Sequence, residues 1–248
     1  MTKSSDERHS SYIYDRGEES VNSERLAFTG RIAASIAHEI RNPLGNVSMS
    51  VQQLKEAFPE DSPWAKHVDI ITRNTQRINF LITELLNCAR PPKLNIQPHD
   101  IHVILEENLD SIKAKIRSKQ IEVRKRFFRG STVINLDKEQ INRVFLNVMI
   151  NAIEAIPDRG RIYINTEVEG EFFVVKVRDT GEGISEEDII KIFDPFFSTK
   201  ASGVGLGLST TYGIVASHGG TIGVESEWKK GTLFTISLPT KQSHKELS

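Results

Sequence analysis

The stretch SIAHEIRNPLGN, residues 35–46, sets a histidine beside a glutamate and a proline five residues later, inside a pattern that is otherwise helical. Outward from it, Ile40, Leu44, Val47, Val51, Leu54 and Phe58 recur at steps of 4 and 3, the a/d seam of a helix packed in a bundle. FPEDSP breaks that helix with Pro59 and Pro63. A second seam follows at Trp64, Val68, Ile71, Thr75, Ile78, Ile82, Leu85 and Ala89, with Ser62 as its N-cap and Pro63 at the first helical position. RPPKLNIQP ends it. Residues 23–90 therefore read as an antiparallel helical hairpin. Two such helices leave long apolar stripes wet, so the hairpin is expected to pair with a second copy as a dimeric four-helix bundle.

His38 lies two residues before Ile40, about 200° around the helix at about 100° per residue, and so faces away from the seam. Asn42 follows one turn later on the same outward face, and Glu39 leans across from the side. Pro43 cannot donate to the Glu39 carbonyl and is expected to bend the helix there. Taken alone, His38 reads first as a surface histidine beside an incidental proline.

Bulk properties narrow the class. The chain has 248 residues, 26% charged and 38% hydrophobic, with net charge -1, so no overall basic field points to nucleic acid. One cysteine, Cys88, rules out an internal disulfide and fits a reducing compartment. No apolar run nears the roughly 18–20 residues of a membrane helix, so no membrane insertion is expected. Residues 1–22 are polar and aperiodic, lack a signal-peptide core, and read as a disordered tail. The cytoplasm is the expected location.

Composition shifts after a linker at 91–98. IEVRKRF, STVINL, RIYINTEV, FFVVKVRD and GTLFTISLP read as strands, with helices near 100–118, 137–156 and 206–218. Residues 99–240 thus read as an α/β sandwich, one sheet with helices on one face, followed by a tail at 241–248. Three stretches carry chemistry. In NVMINAIEA, Asn147, Asn151 and Glu154 share a helix face; their oxygens suit a hard cation such as Mg²⁺, or simply a solvated face. In VRDTGEGI, Asp179 ends a strand where its carboxylate can accept from an exocyclic amine such as adenine's, and Gly181 and Gly183 allow close backbone approach; a plain turn fits too. In FDPFFSTKASGVGLGLS, Gly203, Gly205 and Gly207 open into a helix, an arrangement suited to phosphate, with Lys200 in reach as a point charge.

Together these stretches resemble one family, the bacterial two-component sensor histidine kinases. HEIRNPL is similar to the family's H-box, NVMINAIEA to its N-box, DTGEGI to G1, FDPFF to the F-box and GVGLGLS to G2, in the family's order; HGGTIGVES and GTLFTISLP are similar to its C-terminal segment. The resemblance implies a histidine-phosphotransfer hairpin followed by a Bergerat-type ATP-binding domain of the gyrase, Hsp90 and MutL superfamily. It implies Mg²⁺ bound by Asn151, with Asn147 and Glu154 nearby, and ATP held by Asp179, Gly181, Gly183, Ile184, Lys200, Gly203, Gly205, Leu206, Gly207, Leu208 and Thr232 under a lid from Phe193 to Gly207. His38 would take the γ-phosphoryl group with help from Glu39 and pass it to an aspartate of a response regulator receiver domain, and Asn42 would support the reverse, phosphatase reaction. ARPPKLNIQP resembles the soluble nitrogen-regulation type. The family's sensory segment is not recognisable ahead of the H-box, which implies a separate sensory protein or a sensory segment outside this sequence. SEWKKGTLF lacks the glycine often found two residues before Gly231, so the last hairpin is expected to differ slightly.

Overall fold

The computed structural model describes residues 10–13, 40, 42–58, 62–89, 94–200 and 205–241. It divides into two compact units, one spanning Gly17–Pro92 and the other Lys93–Ser248 with Met1–Arg16.

In the first unit, helix α1 covers 42–57 and helix α2 covers Ala65–Ala89. The turn before α2 is built as its sequence requires: the Ser62 hydroxyl accepts weakly from the Trp64 amide at 3.3 Å, and the Ser62 carbonyl accepts from Ala65 at 3.0 Å. The two seams split by heptad position. Val51 on α1 and Val68, Thr75 and Ile82 on α2 are buried, whereas Ile40, Val47, Leu54, Ile71 and Ile78 are 39–42% exposed. Thr75 sits at a seam position without penalty because its hydroxyl donates to the Ile71 carbonyl at 2.8 Å.

The second unit is a sheet covered by helices. Its elements run β1 (Ser10–Ile13), β2 (Gln97–Asp100), α3 (Ile101–Ser118), β3 (Ile121–Arg126), β4 (Val133–Leu136), α4 (Lys138–Ala155), β5 (Gly160–Glu169), β6 (Phe172–Asp179), α5 (Glu186–Ile189), α6 (Gly207–Ser217), β7 (Thr221–Glu227) and β8 (Gly231–Pro239). The sheet order is β1-β7-β8-β6-β5-β3, antiparallel except for the β3–β5 pair; β2 and β4 form a separate two-stranded ladder. Alternation sets the sheet's faces: on β8, Thr232, Phe234, Ile236 and Leu238 are buried, while the residues between them are half-exposed. α4 is the central helix, burying Ile141, Val144, Phe145, Val148, Met149, Ala152 and Ile153 on one stripe. Asp137 caps its start, accepting from Gln140 at 3.1 Å and, across the chain, from Asn95 at 2.8 Å. Lys119 closes its end by donating to the Ile153 and Ile156 carbonyls at 2.9 and 2.6 Å.

Two expectations need correction. The tail expected over 1–22 contains a strand: Ser10–Ile13 pair antiparallel with β7. Gln97 and Pro98, assigned to the linker, open β2. Both strands are short and polar, and an edge strand is held through backbone groups that leave no hydrophobic period in the sequence.

In the last hairpin Lys229 stands at the position of the missing glycine. Lys229 adopts φ 66°, a left-handed backbone that favours glycine, and its amide donates to the Glu182 carbonyl at 2.6 Å. Lys229→Gly relieves that strain and is expected to raise unfolding free energy by about 0.5–1 kcal/mol, net of the added freedom of the unfolded chain. A higher urea midpoint at unchanged m-value checks it; a lower midpoint contradicts it.

Candidate functional site

The second unit gathers four chain segments around the C-terminal end of β6. Asp179, the last residue of β6, is 2% exposed, and its Oδ1 accepts from the Gly181 amide at 2.7 Å and the Thr232 amide at 3.3 Å. Burial pushes its carboxyl up from 3.8 to about 6, against the opposing pull of those two amides and of the Arg178 and Lys200 charges. Both amides meet Oδ1, which leaves Oδ2 to accept from a ligand. A Cβ on Gly181 would stand 2.4 Å from the Ala155 carbonyl, so glycine is required where the loop crosses the end of α4. Next to it the Glu182 amide donates to that same carbonyl at 2.9 Å.

α4 presents the asparagine face. The Asn147 amide donates to the Gly207 carbonyl at 3.2 Å and reaches the Thr211 hydroxyl at 3.4 Å, fixing the start of α6 against α4. Asn151 stands one turn on, half-buried. Lys200 pairs with Glu154 at 2.6 Å, bringing together two site residues 46 positions apart. Gly205 takes φ 70°, and a Cβ there would lie 2.4 Å from the Phe196 backbone, whose amide donates to the Gly205 carbonyl at 2.9 Å. Leu206, at the N-cap of α6, carries no polar side chain to satisfy the first-turn amides, a geometry suited to an anion.

The apolar residues of the set lie beneath these loops. Phe193 and Leu206 are 5% and 3% exposed, and Ile184 and Leu208 pack against the core. Phe193, expected in a lid, is instead core: its ring centroid lies 6.2 Å from that of Tyr212, where an aromatic side chain is better buried than wet. It anchors the beginning of the segment. His38, Glu39 and Gly203 lie outside the described residues, as does Arg41; Asn42 and Pro43 are exposed on α1.

Two residues escaped sequence reasoning. The Ser226 hydroxyl accepts from the Ile184 amide at 2.8 Å, donates to the Gly231 carbonyl at 3.1 Å and meets the Thr232 hydroxyl at 3.0 Å, so one side chain ties the loop after β6 to β7 and β8. Its signal was a serine in phase with the inward-facing Ile222 and Val224. His218, 2% exposed, accepts at Nε2 from the Asp137 amide at 3.0 Å, so its Nδ1 donates to the Ile214 carbonyl at 2.8 Å. Burial holds this neutral ring below the usual histidine range, and it joins the end of α6 to the start of α4.

Comparison with known proteins places the fold in a class. Residues 29–93 match the His Kinase A (phospho-acceptor) domain, and residues 136–242 match the histidine kinase-, DNA gyrase B-, and HSP90-like ATPase family. Sensor histidine kinase ZraS of Escherichia coli (strain K12) is 33% identical over 231 residues, 92% of this chain and 49% of the relative. The catalytic domain of histidine kinase ThkA is 32% identical at TM-score 0.55, covering 59% of this chain and 96% of that one. ThkA in complex with response regulator protein TrrA is 30% identical at TM-score 0.63, covering 90% of this chain and 65% of that one. The chain belongs to the sensor histidine kinase family. It spans about half the length of curated relatives it matches, ZraS among them. Among the described residues no helix is long and apolar enough to cross a membrane.

The buried carboxyl makes stability depend on pH. Because its folded value, about 6, lies above 3.8, Asp179 stabilises the fold fully below 3.8, and that stabilisation is lost as pH rises through about 6. The difference corresponds to about 3 kcal/mol, an order-of-magnitude figure. Asp179→Asn, without ligand, is expected to melt at or above the unaltered chain at pH 8, with the gap closing toward pH 5. A variant less stable at pH 8 than at pH 5, relative to the unaltered chain, contradicts the assignment.

Proposed function

We propose that this chain is an ATP-dependent protein-histidine kinase that phosphorylates its own His38 and passes the phosphoryl group to an aspartate of a response regulator receiver domain. The observation that carries the reading is the Asp179 carboxylate: buried, fixed through one oxygen by the Gly181 and Thr232 amides, with its second oxygen left to accept from an adenine amine. The asparagine face of α4, tied by Asn147 to the start of α6, supports a phosphate site in the same unit. Among the described residues no cluster of three or more His, Cys, Asp or Glu side chains stands ready for a metal. That suits Mg²⁺, which takes most of its oxygens from water and phosphates and needs one or two from protein. Asn151 would supply one amide oxygen, with Asn147 and Glu154 beside it, and the ion would neutralise charge on the phosphates.

In the reaction, a neutral nitrogen of the His38 imidazole attacks the γ-phosphorus of ATP, the bond to the bridging oxygen breaks, and ADP leaves with that oxygen's electron pair. Glu39 orients the ring or accepts the proton from its other nitrogen. Lys200 leaves a weak, exposed ion pair with Glu154 to meet the phosphates, a small cost for a surface pair. The phosphoimidazole then donates its phosphoryl group to the partner's aspartate; ThkA supplies a related kinase seen with a response regulator. The exposed half of the seams, at Val47, Leu54, Ile71 and Ile78, supports homodimerisation through residues 23–90. Asn42, exposed on α1, holds a water in line with the partner's phospho-aspartate and makes the protein a phosphatase as well. The setting is cytoplasmic, with the signal supplied by a sensory protein or segment.

Incubation with labelled ATP tests both activities. His38→Gln is expected to lose all acid-labile label while retaining nucleotide binding. Asn42→Ala is expected to keep autophosphorylation and to slow regulator dephosphorylation about tenfold or more. Label retained in His38→Gln overturns the phosphoacceptor; equal loss of both activities in Asn42→Ala overturns the water-positioning role.

A further inference from the structure

We propose that the outer edge of β7 is a strand-acceptor surface filled by this chain's own segment Ser10–Ile13, and that seating of this strand holds the loop between β6 and α5 in its nucleotide-binding form. β7 pairs with β8 along one side over seven residues. Without β1 its other side would be an open edge, a row of unpaired amides and carbonyls that proteins rarely leave bare. Ser10, Ser11, Tyr12 and Ile13 cover it, opposite Ser226, Glu225, Val224 and Gly223.

The register matters because Ser226 is the residue whose hydroxyl holds the Ile184 amide, the Gly231 carbonyl and the Thr232 hydroxyl. β1 also lies against α5, which starts directly after that loop and is capped by Ser185, accepting from the Asp188 amide at 3.2 Å. The strand therefore abuts both elements that flank residues 180–185: β7, which holds Ile184 from one side, and α5, which follows from the other. A four-residue edge strand held by its backbone is among the first elements to open, so its occupancy is adjustable where the core's is not. Ser10–Ile13 also precede His38 and α1 in the chain, whereas the sheet they join follows α2. Strand addition thus ties the segment ahead of the phosphoacceptor helix to the nucleotide site, by the same main-chain pairing that proteins use to capture extended peptides.

The coupling rests on the nucleotide reading given above; the strand pairing does not. Alternate amides of an edge strand face its neighbour, so the double variant Ser11→Pro/Tyr12→Pro in the full chain removes at least one ladder donor. In that variant, the amides of 223–226 that face β1, together with Ile184, are expected to exchange with solvent about tenfold faster. The dissociation constant for a non-hydrolysable ATP analogue with Mg²⁺ is expected to rise about three- to tenfold by calorimetry. A synthetic peptide of residues 7–16 is expected to restore both. Unchanged exchange overturns the strand pairing. Faster exchange at unchanged affinity overturns the coupling. Failure of the unaltered chain to take up the analogue overturns the nucleotide reading and the coupling with it, while exchange at 223–226 still decides the strand.

Discussion

The loop that follows β6 has its course set by one buried oxygen. Asp179 Oδ1 accepts from Gly181 two residues on and from Thr232 on the neighbouring strand β8, so the carboxylate holds its own loop to the adjacent strand. The chain then passes close over the end of α4, where Glu182 donates to Ala155 and glycine at 181 is the residue that fits. Ser226 completes the tie from β7 through Ile184. Helix, loop and three strands converge there on a carboxylate that sits poorly as an anion, since its value of about 6 means that burial outweighs both amides. A group kept at such a cost is expected where a ligand supplies the missing donor.

The helical hairpin shows a different balance. Seam positions that alternate along one helix divide their burial: Val51, Val68, Thr75 and Ile82 are buried, while Val47, Leu54, Ile71 and Ile78 stand about two-fifths exposed. A two-helix unit cannot cover both halves of an a/d seam, and the uncovered half has the spacing a second hairpin would fill. Asn42 stands exposed on α1.

Legibility in the sequence followed the strength of each period. The seams of α1 and α2, the stripe of α4 and the alternation of β5, β6 and β8 are long enough to announce themselves, and the structure has helices and strands there. β1 and β2 escaped because SSYI and QPHD pair through the backbone and have no period to read, and β7, though Ile222, Val224 and Ser226 alternate inward, was not read as a strand. Asp179, Asn147, Glu154 and Lys200 were legible as chemistry, but the Glu154–Lys200 pair and the Asn147–Gly207 contact join residues 46 and 60 positions apart, which only the fold brings together. Phe193 was read by resemblance as a lid residue, yet a phenyl ring gains more by entering the core. Ser226 and His218 do their work buried, satisfying backbone groups, and a polar residue of that kind looks in sequence like any other.

The central claim is that Asp179 reads a base through its amine, and base substitution tests it most directly. Inosine triphosphate has a carbonyl in place of the exocyclic amine of ATP and a proton on N1, so at the position of the amine the carboxylate would meet an acceptor and no donor. Calorimetry with the Mg²⁺ complexes at pH 8 should find ATP bound about ten- to a hundredfold more tightly than the inosine nucleotide, the cost of one unmet buried acceptor, with the preference lost in Asp179→Asn. Equal affinity of the unaltered chain for the two nucleotides would contradict the account.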